Sequence, residues 1–174
     1  MPLPRLSPQH YSVALLLGAA GAVLAVVLFG QIPGGGRWAS ELGNSAHGPA
    51  FAIVTLILIA LLRQVPSRNA SILRDYSLAI AGALLLGALI ELMQLATGRD
   101  ASFSDLGRDT LGTLAATGLF TLVDPRVRAL PSRRTTRLVG LLAGVTSTLI
   151  LVAPLSITGA AYLQRHRSFP TLVD

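Results

Sequence analysis

Residues 76–96 read YSLAIAGALLLGALIELMQLA, and Glu91 is the single charged side chain among these 21 residues. An α-helix needs about 20 predominantly apolar residues to cross the hydrocarbon core of a bilayer. The stretch is therefore long enough to form a transmembrane helix. Its one acid, five residues before the apolar run ends at Ala96, is a candidate for a role beyond packing.

Other apolar stretches of comparable length lie on both sides of it, at residues 11–29, 47–62, 105–123 and 138–163. The first exceeds the roughly 7–15 residues of a signal-peptide core and lacks a small-residue cleavage site after it, so we expect an uncleaved span. Asn44 or Ser45 is expected to cap the second, and Pro154 to kink the last or turn the chain back. The sequence predicts an all-α, polytopic membrane helix bundle of about five transmembrane helices, four at minimum, in one domain over residues 1–174.

Composition supports this class of protein. Hydrophobic residues make up 52% of the chain and charged residues 13%, against about 25% charged in soluble domains. This argues against an ordinary soluble enzyme and against disorder. The absence of cysteine excludes disulfides, iron–sulfur clusters and cysteine nucleophiles. The few aromatic residues are not interleaved with the basic ones, so we expect no nucleic-acid partner.

Loop arginines predict the orientation. With five spans, one side holds nine arginines and two acids, and the other five arginines and six acids. Arginine accumulates in cytoplasmic loops. We therefore expect a cytoplasmic N-terminus and a multi-pass membrane protein, with the lipid bilayer as its partner. A chain that turned back at Pro154 would return Arg165 and Arg167 to the inner side.

Polar residues interrupt the apolar pattern near the predicted outer ends. Gln94 follows Glu91 by three residues and shares its face of the helix. Ser102 and Asp105 are spaced like a capping box, and Asp109 lies one turn further on the same face. These residues form either a functional site or a set of interhelical contacts, and the acids could simply complement the positive end of a helix.

His47 opens the second stretch on the same side, and Arg99 and Arg108 lie beside the acids. The topology thus brings polar groups from three helix ends together, as in a pocket for a charged ligand. The candidate ligand-binding residues are His47, Glu91, Gln94, Arg99, Ser102, Asp105 and Asp109. Among them, His47, Glu91 and Asp105 are the candidates for acid–base catalysis.

This order of residues resembles the VanZ-like family of bacterial membrane proteins. That family has a histidine opening the second helix and a Glu-x-x-Gln ending the third. An arginine, a serine and an aspartate follow, and then an asparagine and a glycine that enter the fourth helix. Residues 91–112, ELMQLATGRDASFSDLGRDTLG, carry most of the likeness. Asn44, Phe51 and Asp109 stand where the family often has lysine, tyrosine and asparagine.

The resemblance implies a protein of the bacterial inner membrane that is linked, in the name-giving member of the family, to low-level glycopeptide resistance. We expect the outer site to bind a cell-envelope lipid or glycopeptide-like ligand, with Arg99 and Arg108 holding phosphate or carboxylate.

Helix packing through small residues such as Gly140 and Gly144 is also expected.

Three other functions remain open: an intramembrane enzyme acting on a lipid-linked substrate, a structural or partner-binding subunit, and a proton-coupled transporter. Motifs of known spacing for metals, nucleophiles or phosphates are absent, so we expect no metal or cofactor. Under the enzyme alternative alone, His47, Glu91, Asp105 and Asp109 would suit Mg²⁺ or Mn²⁺.

Overall fold

The computed structural model describes residues 8–29, 37–65, 71–96 and 102–168, which form helices and contain no strand. The helices in chain order are α1 Pro8–Phe29, α2 Arg37–Ser45, α3 His47–Leu62, α4 Ile72–Ala96, α5 Phe103–Val123, α6 Pro125–Arg128 and α7 Arg133–Ser168. The prediction of an all-α fold is therefore confirmed over the described residues.

Three segments are long and apolar enough to cross a membrane: Trp38–Leu62, Ile72–Ala96 and Arg133–Arg165. The first combines α2 with α3, and the others correspond to α4 and most of α7. A shorter apolar helix covers Tyr11–Val27 within α1. The three long segments include the predicted spans 47–62, 76–96 and 138–163.

The start of α3 differs from the prediction. Ala46 precedes it with helical dihedrals, φ −71° and ψ −24°, and no side chain caps the helix. The expectation of a cap at Asn44 or Ser45 is wrong, because α2 continues into α3 with only a turn at Ala46. The backbone hydrogen bonds continue through Ala46: its N–H donates to the carbonyl of Gly43 at 3.1 Å, and its own carbonyl accepts the N–H of Ala50 at 3.1 Å.

The helix α7 shows whether the chain turns back at Pro154. The helix runs through this proline and ends at Ser168, so the chain does not turn back there. A proline removes one backbone hydrogen bond from a helix but does not by itself end it.

Glycines set how closely α5 approaches its neighbours. A Cβ at Gly112 would overlap the backbone carbonyl of Gly48 on α3, and one at Gly118 would lie 2.7 Å from the amide nitrogen of Gly144 on α7. A Cβ at Gly140 would likewise overlap the carbonyl oxygen of Gly118. The predicted packing role of Gly140 and Gly144 is confirmed, and α5 is the helix against which α3 and α7 both pack.

The bundle has two polar ends separated by an apolar core around Phe51 and Ala83. At one, here named the His47 end, α3 begins, α4 ends and α5 begins. At the other, named the Arg63 end, α3 ends, α4 begins and α5 ends.

Candidate functional site

His47 and Asp109 form a buried pair at the His47 end. The Nδ1 of His47 lies 3.0 Å from the Oδ1 of Asp109, and the two residues are 8% and 0% exposed. The close contact of α3 and α5 makes this pairing possible, because Gly48 directly follows His47 and Gly112 lies one turn after Asp109. The imidazole is thereby held against a carboxylate inside the bundle.

Glu91 reaches the same region from the end of α4. It is 8% exposed, and its Oε2 accepts the backbone N–H of Ser102 at 2.7 Å. Ser102 is the N-cap of α5, since its hydroxyl accepts the N–H of Ser104 at 3.2 Å. The predicted cap is confirmed, but the acid that completes it is Glu91 rather than Asp105.

Asp105 is occupied elsewhere. Its Oδ1 accepts a hydrogen bond from the Nη1 of Arg108 at 2.5 Å, and Arg108 also donates to the hydroxyl of Ser104 at 3.2 Å. Arg108 lies near both Asp105 and Asp109 in the sequence, and its partner in the structure is Asp105, one turn before it. Asp105 therefore does not join the pair formed by His47 and Asp109.

His47, Glu91 and Asp109, here named the His47 cluster, each offer a ligand atom, and these atoms lie within 4.8 Å of one another. Two of the carboxylate oxygens, Glu91 Oε1 and Asp109 Oδ2, are buried and have no hydrogen-bond partner among the described residues. Two carboxylates thus face one imidazole, so the cluster presents more acceptors than donors.

Three predicted site residues remain. Gln94 is buried at 5% exposure, one turn beyond Glu91 on α4. Ser102 takes part through its backbone N–H, as described above. Arg99 lies outside the described residues.

The Arg63 end contains a second polar network that the sequence did not predict. Asp124, fully buried, accepts hydrogen bonds from the Nη2 of Arg63 at 2.5 Å, the hydroxyl of Tyr76 at 3.1 Å and the backbone N–H of Arg126 at 2.9 Å. Asp75, 1% exposed, accepts from Arg126 at 2.6 Å. Three helices and the short α6 are joined by these contacts.

These contacts change the pKa of Asp124. Burial alone would raise it, but the N–H of Arg126, the hydroxyl of Tyr76 and the charges of Arg63 and Arg126 outweigh burial and hold the pKa below its ordinary value of 3.8. The signal was present in the sequence: Asp75 and Asp124 are the two acids among nine arginines on that side. Both acids were expected to lie in loops, and their burial was not predicted.

An apolar cavity of about 610 Å³ opens between α3, α5 and α7. The cavity is lined by Gly48 and Gly112, which bring α3 and α5 together beside the His47 cluster. It is also lined by Leu56, Leu119 and Leu151. None of the three cluster residues lines it, so the polar cluster and the apolar cavity lie on different sides of the α3–α5 contact.

The arrangement as a whole is a buried imidazole and two carboxylates at one end of a helix bundle, next to helices that also border an apolar cavity. Such a set can bind a cation or a hydrogen-bond donor, or move a proton between its members. No family model, no curated protein and no solved structure matches this chain, so its functional interpretation depends on this geometry.

Proposed function

We propose that this chain is a multi-pass bacterial inner-membrane protein of the VanZ-like type. In this proposal it binds a cell-envelope lipid or glycopeptide-like ligand at its outward-facing His47 end. The observation that carries the proposal is that Glu91 and Asp109 each have a buried carboxylate oxygen with no partner among the residues that the structure describes. A buried polar group left unsatisfied costs about 1–3 kcal/mol, and more when charged. A ligand that supplies the missing donors explains why two such groups are kept beside one histidine.

The membrane topology of this proposal has five spans. Besides the three long apolar segments, α1 has 22 residues and α5 has 21, and about 20 suffice to cross the hydrocarbon core. The polar side chains of α5 that would be costly in lipid, Asp109 above all, are turned into the bundle. The arginine excess at the Arg63 end favours the cytoplasm for that end and the exterior for the His47 end.

The chemistry of the cluster restricts the ligand. Unpartnered carboxylate oxygens accept hydrogen bonds, so the group they meet directly is an ammonium, a hydroxyl or an amide N–H, as found on sugars and peptides. Arg108 is already paired with Asp105, which weakens the expectation that it holds a phosphate by itself. The apolar cavity lies on the other side of the α3–α5 contact, so it does not extend the binding surface of the cluster.

Native mass spectrometry of the purified protein tests this proposal. Wild type is compared with Glu91→Gln and with Glu41→Gln, a matched control. Glu41 lies on α2, outside the cluster, and its Oε2 is likewise buried without a partner among the described residues, so this control tests whether such an oxygen is sufficient outside the cluster. We expect a defined lipid or glycolipid adduct on wild type and on the control, and its loss from Glu91→Gln. An adduct that is absent from wild type, or equally retained by all three proteins, would contradict the proposal.

The pair of His47 and Asp109 supports a second candidate function, an intramembrane enzyme. A buried carboxylate that orients an imidazole at 3.0 Å is the arrangement of a general base with its positioning partner. Turnover of a lipid-linked substrate by wild type, abolished in His47→Gln and retained in Glu41→Gln, would favour this function over binding alone. Ligand retention without turnover would favour binding.

A further inference from the structure

We propose that the His47 cluster is a binding site for one divalent cation, of the class of Mn²⁺ or Zn²⁺. The cluster offers one nitrogen and two carboxylates from three helices, so a single ion there would be bound by α3, α4 and α5 together. The site itself is argued from these residues. Only the identity of the group that the bound ion then holds rests on the function proposed above.

The distances suit an ion of this size. Metal–ligand bonds to imidazole nitrogen and carboxylate oxygen are about 2.0–2.2 Å long, so two ligand atoms of one ion lie at most about 4.4 Å apart. The three ligand atoms here lie within 4.8 Å of one another. The 3.0 Å between His47 Nδ1 and Asp109 Oδ1 equals the separation of adjacent ligands at a right angle on bonds of about 2.1 Å. Binding one ion therefore requires the ligand atoms that lie farthest apart to move closer together.

Burial and charge favour a cation over water alone. Glu91 and Asp109 are at least nine-tenths buried, and each has an oxygen without a partner among the described residues. A divalent ion would neutralise both carboxylates and occupy the space between them. The imidazole favours Zn²⁺, and the two carboxylates also suit Mn²⁺, whereas Ca²⁺ and Mg²⁺ prefer oxygen ligands throughout.

Surrounding groups hold the ligands in place. The backbone N–H of Ser102 fixes Oε2 of Glu91 and leaves Oε1 available, the kind of outer contact that orients metal ligands. Gly87 on α4 leaves room for Asp109, because a Cβ there would lie 2.9 Å from Oδ2. The expectation of no metal, drawn from the absence of a known motif, is thereby revised: the ligands come from three helices and have no short spacing.

A bound ion would also change what the site recognises. Three protein ligands leave coordination positions open for an exogenous group, and an ion there attracts an anionic oxygen, which the carboxylates alone would repel. A phosphate or carboxylate oxygen of the envelope ligand would fill the open position. The site could then bind an anionic headgroup without a free arginine.

Metal binding to the purified full-length protein tests the inference directly. Protein stripped with EDTA is titrated with Mn²⁺, and bound ion is measured by electron paramagnetic resonance. We expect one tight site per chain, nitrogen coupling from His47 in the pulsed spectrum, and displacement by Zn²⁺. His47→Gln and Glu91→Gln should weaken binding by more than the roughly 10–100-fold that changes in outer-shell contacts cause, while Glu41→Gln should bind as wild type does.

If the variants do not fold, the Mn²⁺ titration of the wild-type protein alone tests the inference. Failure to bind Mn²⁺ at one per chain, or bound Mn²⁺ without nitrogen coupling, would overturn the inference. A lipid adduct that persists in EDTA on a protein without a Mn²⁺ site would refute the cation and leave the proposed function standing. A Mn²⁺ site with the expected coupling on a protein that retains no adduct would support the cation and contradict the proposed function.

Discussion

Glu91 on α4 accepts the backbone N–H of Ser102, the N-cap residue of α5, at 2.7 Å. One carboxylate oxygen thus fixes the geometry between two consecutive helices, while the other, Oε1, is buried without a partner in the described part of the chain. The two oxygens of a single side chain serve different purposes. Substitutions at Glu91 therefore distinguish the structural contact with Ser102 from the binding of a ligand, depending on which of the two carboxylate oxygens they replace.

Glu91→Ala and Glu91→Gln are expected to differ in stability. Alanine leaves the part-buried N–H of Ser102 without its acceptor, which costs at most about 1–3 kcal/mol. The glutamine carbonyl retains an acceptor at the same distance and gives up only the charge, so its loss should be smaller. Thermal unfolding in detergent measures both. Equal losses in the two variants would show that the contact with Ser102 does not stabilise the fold.

Asp124→Asn is expected to destabilise the bundle strongly. It removes the charge that pairs with Arg63 and Arg126. Because these arginine side chains are about one-third exposed, the cost should lie between that of a surface pair and the roughly 3–5 kcal/mol of a fully buried one. Arg128→Gln is the matched control, because Arg128 is exposed and lies on the same short helix α6. A surface change of this kind alters stability by within about 0.5 kcal/mol. Similar melting temperatures for the two variants would contradict the assigned role of Asp124.

Tyr76→Phe should lower stability in a pH-dependent way. The hydroxyl of Tyr76 donates to Asp124, and a hydrogen bond to a charged group contributes about 1.5–3 kcal/mol. Because the folded-state pKa of Asp124 lies below its ordinary 3.8, its stabilising contribution is complete above that value and is lost as the pH falls through the folded-state pKa.

The difference in unfolding free energy between wild type and Tyr76→Phe is therefore expected to be constant from pH 7 to about pH 4.5. It should shrink as the pH is lowered further, as Asp124 becomes protonated. Melting temperatures of both proteins over this pH series provide the measurement. A difference that stays the same at the lowest pH would mean that the hydroxyl does not act through the charge of Asp124.

Much of the fold was predictable because long apolar runs indicate long helices, three of which are long and apolar enough to cross a membrane. The stretch 76–96 lies within α4, and 105–123 within α5. The start of α3 was missed because Asn44 and Ser45 look like caps, whereas local sequence cannot show that α2 continues through Ala46. Helix boundaries depend on such neighbours more than on the apolar run itself.

The site was predictable in part for the same reason. His47, Glu91 and Asp109 are polar residues where apolar ones are expected, so each stood out in the sequence. Which of the two acids on α5 enters the cluster depends on the rotation of that helix, set by the contact of Gly48 with Gly112. Sequence spacing places Asp105 and Asp109 on one face and does not distinguish them.

Gly112→Ala is expected to damage both the fold and the His47 cluster. The new Cβ would meet the backbone of Gly48, with its carbonyl carbon only 2.8 Å away. Backbone cannot rotate aside as a side chain can, so α3 and α5 would have to separate. Overpacking of this kind costs about 1–3 kcal/mol, and occasionally more. Separation would also lengthen the contact between His47 and Asp109.

Gly107→Ala on the same helix is the control, since a Cβ there meets nothing within 4 Å. Alanine in place of an exposed helical glycine stabilises by up to about 1 kcal/mol. Unfolding of the two variants in detergent, together with Mn²⁺ binding, measures both effects. We expect Gly112→Ala to lose stability and ion affinity together, while Gly107→Ala keeps both. A Gly112→Ala protein as stable as Gly107→Ala would mean that the close approach of α3 and α5 does not set the geometry of the cluster.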